Sequence, residues 1–208
     1  QSGPSVVQPL EPLTECDDLG DPNDGVTLFD LTLMNDVITD GVSGVTVEYY
    51  TDPDLYFSIM NPTAYENLTN PQNIYTRVTN VNTSCFNTSI YLTLRVAANP
   101  DPEDPDPIIL CDVNNPGDMK EVFDLTNREV QILDGETWNL SYYNSYQDAI
   151  DNNDMIAIPT IYTNVTSPEI VYVRVSIDIL NVTACFEIVE LELIVNPLPD
   201  ATAVISPY

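Results

Sequence analysis

One stretch occurs twice in this chain, and that repetition constrains the fold more than any other feature. Residues 16–32 read CDDLGDPNDGVTLFDLT and residues 111–126 read CDVNNPGDMKEVFDLT. Each copy opens on a cysteine, crosses a loop crowded with Asp and Asn, and closes on Phe-Asp-Leu-Thr. The copies start about 95 residues apart, the length of one small β-sandwich. A chain of 208 residues therefore holds two modules. The expected boundaries are residues 1–100 for the first repeat with its lead-in and 101–198 for the second. Residues 199–208 then open a following repeat, because NPLPDATAVISPY has the Pro-rich character of the lead-ins at residues 5–13 and 105–110.

Apolar alternation with a period of two marks the strands. Ile90, Leu92, Leu94 and Val96 face one way, and Val189, Leu191, Leu193 and Val195 repeat the pattern. Residues 73–79 and 170–176 form an earlier pair. There Tyr75 and Arg77, and Tyr172 and Arg174, share the other face, as expected of a solvent-facing Tyr–Arg stack. Residues 45–50 alternate too; Trp138, Leu140 and Tyr142 take their place in the second copy and put the sole Trp in a core. Residues 26–31 read as a short buried strand, and Val6 and Val7 as pairing at a sheet edge.

Helical signals are brief. Thr126 reads as an N-cap with Glu129 completing a capping box over residues 127–133; residues 33–38 are the first-copy counterpart. Asp52-Pro53 and Ser145 begin further helical turns. The fold class is all-β: two tandem Ig-like β-sandwich modules joined by a Pro/Asp-rich linker. That linker, ANPDPEDPDPIIL at residues 98–110, is expected to be a stiff, extended spacer.

Composition removes several functions. There are 33 acidic residues against 5 basic ones, a net charge of −28, and no histidine. Nucleic acid and anionic membranes both need a basic surface. No apolar run is long enough for a transmembrane helix, so no direct membrane insertion is expected; residues 1–15 show neither the basic start nor the apolar stretch of a signal peptide, as expected of a mature protein or of a fragment. Without histidine, Ser-His-Asp and Cys-His arrangements are out of reach. No nucleophile-elbow or phosphate-loop pattern occurs. The expectation is that the chain is not an enzyme.

Four cysteines fall two per repeat at matching places. In a Thr- and Tyr-rich acidic chain they read as disulfides in an oxidising compartment. Of the three connectivities, modules that each close on themselves select Cys16–Cys85 and Cys111–Cys185. Each bridge would close about 70 residues, worth roughly 4 kcal/mol in the chain-entropy model.

The acidic loops point to Ca²⁺, which takes six to eight oxygen ligands. Asp17, Asp18, Asp21, Asn23, Asp24 and Asp30 crowd the first loop. Asp112, Asn114, Asn115, Asp118, Glu121 and Asp124 line the second. Asp101, Glu103, Asp104 and Asp106 offer a third place in the linker. The first loop lacks EF-hand register, with Thr32 where the bidentate Glu belongs. Two other readings compete: turn-forming Asp and Asn, and, for Asp30 and Asp124, capping of nearby backbone N–H groups. Asn-x-Ser/Thr sequons stand at Asn67, Asn82, Asn87, Asn139, Asn164 and Asn181, and matter only in a host that glycosylates them.

Taken together, Cys111-Asp112, Phe123-Asp124-Leu125-Thr126, Tyr142-Tyr143, Tyr172-Val173-Arg174-Val175, Cys185-Phe186 and Asn196-Pro197-Leu198-Pro199 give the chain a familiar pattern. It resembles the tandem repeats of very large cell-surface proteins of gliding and marine Bacteroidota, including gliding-motility adhesins exported by type IX secretion. The first repeat departs from that pattern over TDPDLYFSIMNPTAYEN. The resemblance implies an Ig-like repeat displayed outside the cell as a structural spacer of an adhesin. Its partners would be neighbouring repeats of the same chain and a surface polysaccharide or substratum. The alternative is a calcium-dependent carbohydrate-binding module. A third reading is an acidic subunit adapted to salt.

Overall fold

The computed structural model describes residues 3–21, 23–177 and 185–199; the expected opening of a following repeat falls largely outside them. The chain divides into two compact units, the first built on Gln1–Asn99 with Cys185, the second on Pro100–Ile177 and the residues from Phe186 onward.

The first unit carries β1 (Leu13–Cys16), β2 (Leu28–Phe29), β3 (Val45–Tyr50), β4 (Tyr65–Glu66), β5 (Gln72–Asn80) and β6 (Phe86–Ala97). They form a four-stranded sheet in the order β1-β6-β5-β3 and a two-stranded sheet of β2 and β4. The second repeat supplies β7 (Ile108–Cys111), β8 (Val122–Phe123), β9 (Asn139–Tyr143), β10 (Tyr162–Thr163), β11 (Glu169–Ile177) and β12 (Cys185–Asn196). Their order is β7-β12-β11-β9, with β10 paired to β8. The fold is all-β in two tandem modules.

Pairing at the sheet edge decides where the cysteines lie. The first strand of each module runs parallel to the last. Cys16 stands opposite Ala97 at the end of β6, and Cys111 opposite Asn196 at the end of β12. β5 runs antiparallel to both β3 and β6, with an irregular register between Thr76 and Val78.

The alternating residues supply the cores. Phe29, Leu31, Ile38, Tyr49, Ile74, Val78, Ile90, Leu92 and Leu94 are buried together in the first module. Phe123, Leu125, Ile132, Tyr142, Val171, Val173, Val175, Leu191 and Leu193 match them in the second, where Trp138 packs at the edge. At about 25 cal/mol per Å² of apolar surface, these side chains are the main driving force for each module.

The helical segments begin two residues earlier than the sequence suggests. Asp30 and Asp124, not Thr126, are the N-caps: each carboxylate accepts the N–H of the Thr two residues on, at 3.0 and 3.1 Å. They open 3₁₀ turns at Leu31–Met34 and Leu125–Arg128 that lead into α1 (Asn35–Thr39) and α2 (Glu129–Leu133). Glu129 is left to accept the Tyr142 hydroxyl at 2.9 Å, so no capping box forms. Its counterpart Tyr49 sits 2.7 Å from the Leu31 carbonyl oxygen. Burial pushes both phenols up from their ordinary pKa. The buried strand expected over residues 26–31 shrinks to β2, because Asp30 turns the chain at its cap.

Three further expectations change. Arg174 is buried rather than solvent-facing; its guanidinium lies 3.3 Å from the Phe186 ring centre and donates to the Ala149 and Ile150 carbonyls. Those carbonyls end α3 (Tyr146–Asp151), whose N-cap is Ser145. In the first module the Asp52 turn forms no helix. Its carboxylate accepts the N–H groups of Tyr56 and Phe57, and both rings stay exposed. Lastly, the lead-ins are tied down by backbone. Val7 N–H donates to Ile38 and Glu103 N–H to Ile132, while Arg128 donates to the carbonyls of Asp106 and Pro107. The linker is thus held along the second module, and Val6 packs on the first core instead of pairing at a sheet edge.

Candidate functional site

The placement of the cysteines follows from the parallel edge strands. β6 is 12 residues long and Cys85 immediately precedes it, whereas Cys16 lies opposite its last residue. At about 3.3 Å per residue the two cysteines are held roughly 40 Å apart. A bridge needs Cα atoms within about 7 Å. The same geometry separates Cys111 from Cys185 along β12. Closure of each module on itself is therefore ruled out, and the expected pairing is wrong. The bridge joins Cys16 to Cys185, with Cα atoms 5.5 Å apart and 169 residues between them in sequence. It links a residue of the first repeat to one of the second. Cys85 and the exposed Cys111 stand outside that bridge.

Beside each first cysteine lies a buried aspartate. Asp17 is 3% exposed and Asp112 1%. Asp17 Oδ2 accepts Gly25 N–H at 2.8 Å, and Asp112 Oδ2 accepts Gly117 N–H at 2.6 Å. Both glycines have positive φ, +79° and +105°, a conformation L side chains rarely adopt. The other oxygen of each, Oδ1, is buried with no hydrogen-bond partner.

An asparagine closes each loop from the opposite side. Asn67 Oδ1 accepts Thr27 N–H at 2.7 Å, while its Nδ2 donates to Gly25 and Thr69 carbonyls at 2.7 and 3.2 Å. Asn164 does the same for Glu121 N–H (2.7 Å) and the Met119 and Thr166 carbonyls (2.9 and 2.8 Å). They are 2% and 1% exposed. In the sequence they stand out only as sequons. The signal that could have found them is their equivalence: Asn67-Leu68-Thr69 and Asn164-Val165-Thr166 precede matching strands.

The other candidate ligands are occupied or dispersed. Asp24 accepts Val26 N–H and Asp118 accepts Lys120 N–H. Glu121 accepts the N–H groups of Val113 and Asn114, bonds that lower its pKa; the pKa of Asp118 is lowered too, with the Asn115 amide as the main cause. Asp18 accepts the Asn99 amide at 3.0 Å. Asp21, Asn23, Asp101, Glu103, Asp104 and Asp106 are exposed. Among the described residues no three acidic or cysteine side chains gather as a metal site. Each loop contributes one unpartnered buried oxygen toward the six to eight that Ca²⁺ takes. The remaining ligands would have to come from Asn side chains, backbone carbonyls and water.

No helix in the described residues is long and apolar enough to cross a membrane. No curated protein matches the chain. The model of the Flavobacterium inter-domain disulphide bond domain matches twice, over residues 12–102 and 107–199. Those two matches begin just ahead of Cys16 and Cys111, where each parallel edge strand starts. The chain belongs to this family, as two tandem extracellular repeat modules.

Proposed function

We propose that the chain is a structural spacer within a large cell-surface adhesin of the gliding-motility type, exported by the type IX route. Its modules extend the parent protein from the cell and carry no catalytic step. The observation behind this reading is the Cys16–Cys185 bridge between repeats, a bond that persists in an oxidising space. A charge of −28 adds mutual repulsion between neighbouring filaments and keeps the surface soluble. The test is brief proteolysis of intact cells followed by detection of this segment. Digestion from outside is the expected result; protection until the cells are lysed defeats the proposal. In-frame removal of both repeats should shorten the parent's reach while leaving its export intact.

A second reading, calcium binding at the two loops, is favoured by the unpartnered Oδ1 atoms of Asp17 and Asp112. A ligand that binds only the folded state raises Tm. After EDTA treatment, millimolar Ca²⁺ should raise Tm if the loops recruit it; an unchanged Tm leaves Asp17 and Asp112 as loop anchors alone.

A further inference from the structure

We propose that the Cys16–Cys185 bridge turns β12 into a tension-carrying tether that shields the rest of both repeats from pulling forces. Cys16 is the last residue of β1 and Cys185 the first of β12. Tension entering at Glu15 and leaving at Asn196 has a covalent path through Cys16, the bridge and β12. Everything from β2 to β11 lies on the 169-residue loop closed by that bridge, in parallel with the short path and off it.

The short path has almost no slack. β12 is 12 residues of extended strand. A strand already rises about 3.3 Å per residue, against a limit of about 3.6 Å for a fully stretched chain. Pulling can lengthen it by roughly a tenth before covalent bonds carry the load. Val189, Leu191, Leu193 and Val195 stay buried while the strand is drawn taut in place between β7 and β11. The loop, by contrast, stores roughly 590 Å of contour length at about 3.5 Å per residue. Without the bridge, that length is released as modules unravel. The surface reading supplies only the origin of the load; the response to force stands on the bond and the strand.

The experiment pulls the full chain by its two ends in an optical trap, oxidised and then with dithiothreitol, with Cys16→Ser/Cys185→Ser as control. The oxidised chain is expected to lengthen only by its segments outside the bridge. The reduced chain and the double variant are expected to gain roughly 590 Å more. A release of several hundred Å from the oxidised chain, or equal total lengthening with and without reductant, overturns the proposal. If the traces differ as expected but cells protect the segment from protease, the surface reading falls and the tether stands.

Discussion

Replacing Asn164 by alanine tests whether the loop clasp holds the second module together. The side chain is 1% exposed and makes three bonds to backbone, to Glu121 N–H and to the Met119 and Thr166 carbonyls. Alanine keeps none of them. Each buried backbone group left without a partner costs about 1–3 kcal/mol. Water entering the vacated space recovers part of this, so the net loss is about 3–5 kcal/mol. A module of this size loses roughly 4–8 °C of Tm per kcal/mol, which places the drop at roughly 12–40 °C. Asn164→Asp separates shape from hydrogen bonding. The carboxylate keeps the volume but has no donor for the two carbonyls, so it should lose a comparable amount. Calorimetry is the assay, and Asn67→Ala should lower the stability of the first module and Asn164→Ala that of the second. A loss below about 1 kcal/mol for both Asn164 variants would refute the reasoning, since it would mean the clasp is replaceable by solvent.

The same burial predicts that in a glycosylating host Asn67 and Asn164 stay unmodified while the exposed sequon at Asn82 is open to the transferase; glycopeptide mapping decides. Cys16→Ser/Cys185→Ser removes closure of a 169-residue loop and should cost about 5 kcal/mol in the chain-entropy model, read from guanidinium unfolding; curves that coincide with wild type contradict this. Peptide mapping without reductant should recover Cys16 with Cys185. Asp30→Ala and Asp124→Ala each remove an N-cap and should cost about 1–2 kcal/mol in their own module by chemical denaturation. For pH, backbone N–H groups lower the folded-state pKa of Glu121 and Asp52, with Asn114 and Tyr56 the leading donors. A depressed carboxylate pKa gives stability that is present above the unfolded value, about 4, and lost as pH falls through the folded one. Tm should hold above about pH 5 and fall below about pH 4; Glu121→Gln should flatten that decline, and an unchanged slope removes Glu121 from the account.

Much of the fold is legible in the sequence because strand periodicity is local. The alternation of Ile90, Leu92 and Leu94 needs only the pleat to predict burial, and those residues are buried. The two-module division follows from the repeat of Cys-Asp and Phe-Asp-Leu-Thr. The rest depends on contacts distant in sequence. Asp124 competes with Thr126 to cap the same turn, and the aspartate prevails because its carboxylate accepts both the N–H and the hydroxyl of Thr126. Arg174 reads as exposed from its position on the strand, but the end of α3 lies over it with two carbonyls to satisfy. The clasp of Asn164 joins positions 43 residues apart. No periodicity reports such a pair; only the recurrence of Asn-x-Thr in both copies hints at it.

The cysteines expose a limit in reasoning from repeats. Two cysteines per module at matching positions suggest that each module closes on itself, but only while a module is treated as a bag of residues. Strand direction removes the option. When the first strand runs parallel to the last, a cysteine ending the first and a cysteine beginning the last are set at opposite ends of one long strand. An antiparallel edge strand would have placed them side by side at one end. The direction of pairing, parallel from Leu13 and from Ile108 onward, therefore decides whether the cysteines stabilise one module or couple two. Copying such a module in tandem copies a cysteine at each end, so any bridge made by Cys16 must find its partner beyond its own strand pair. Cys185, entering β12 of the second repeat, is where the chain supplies it.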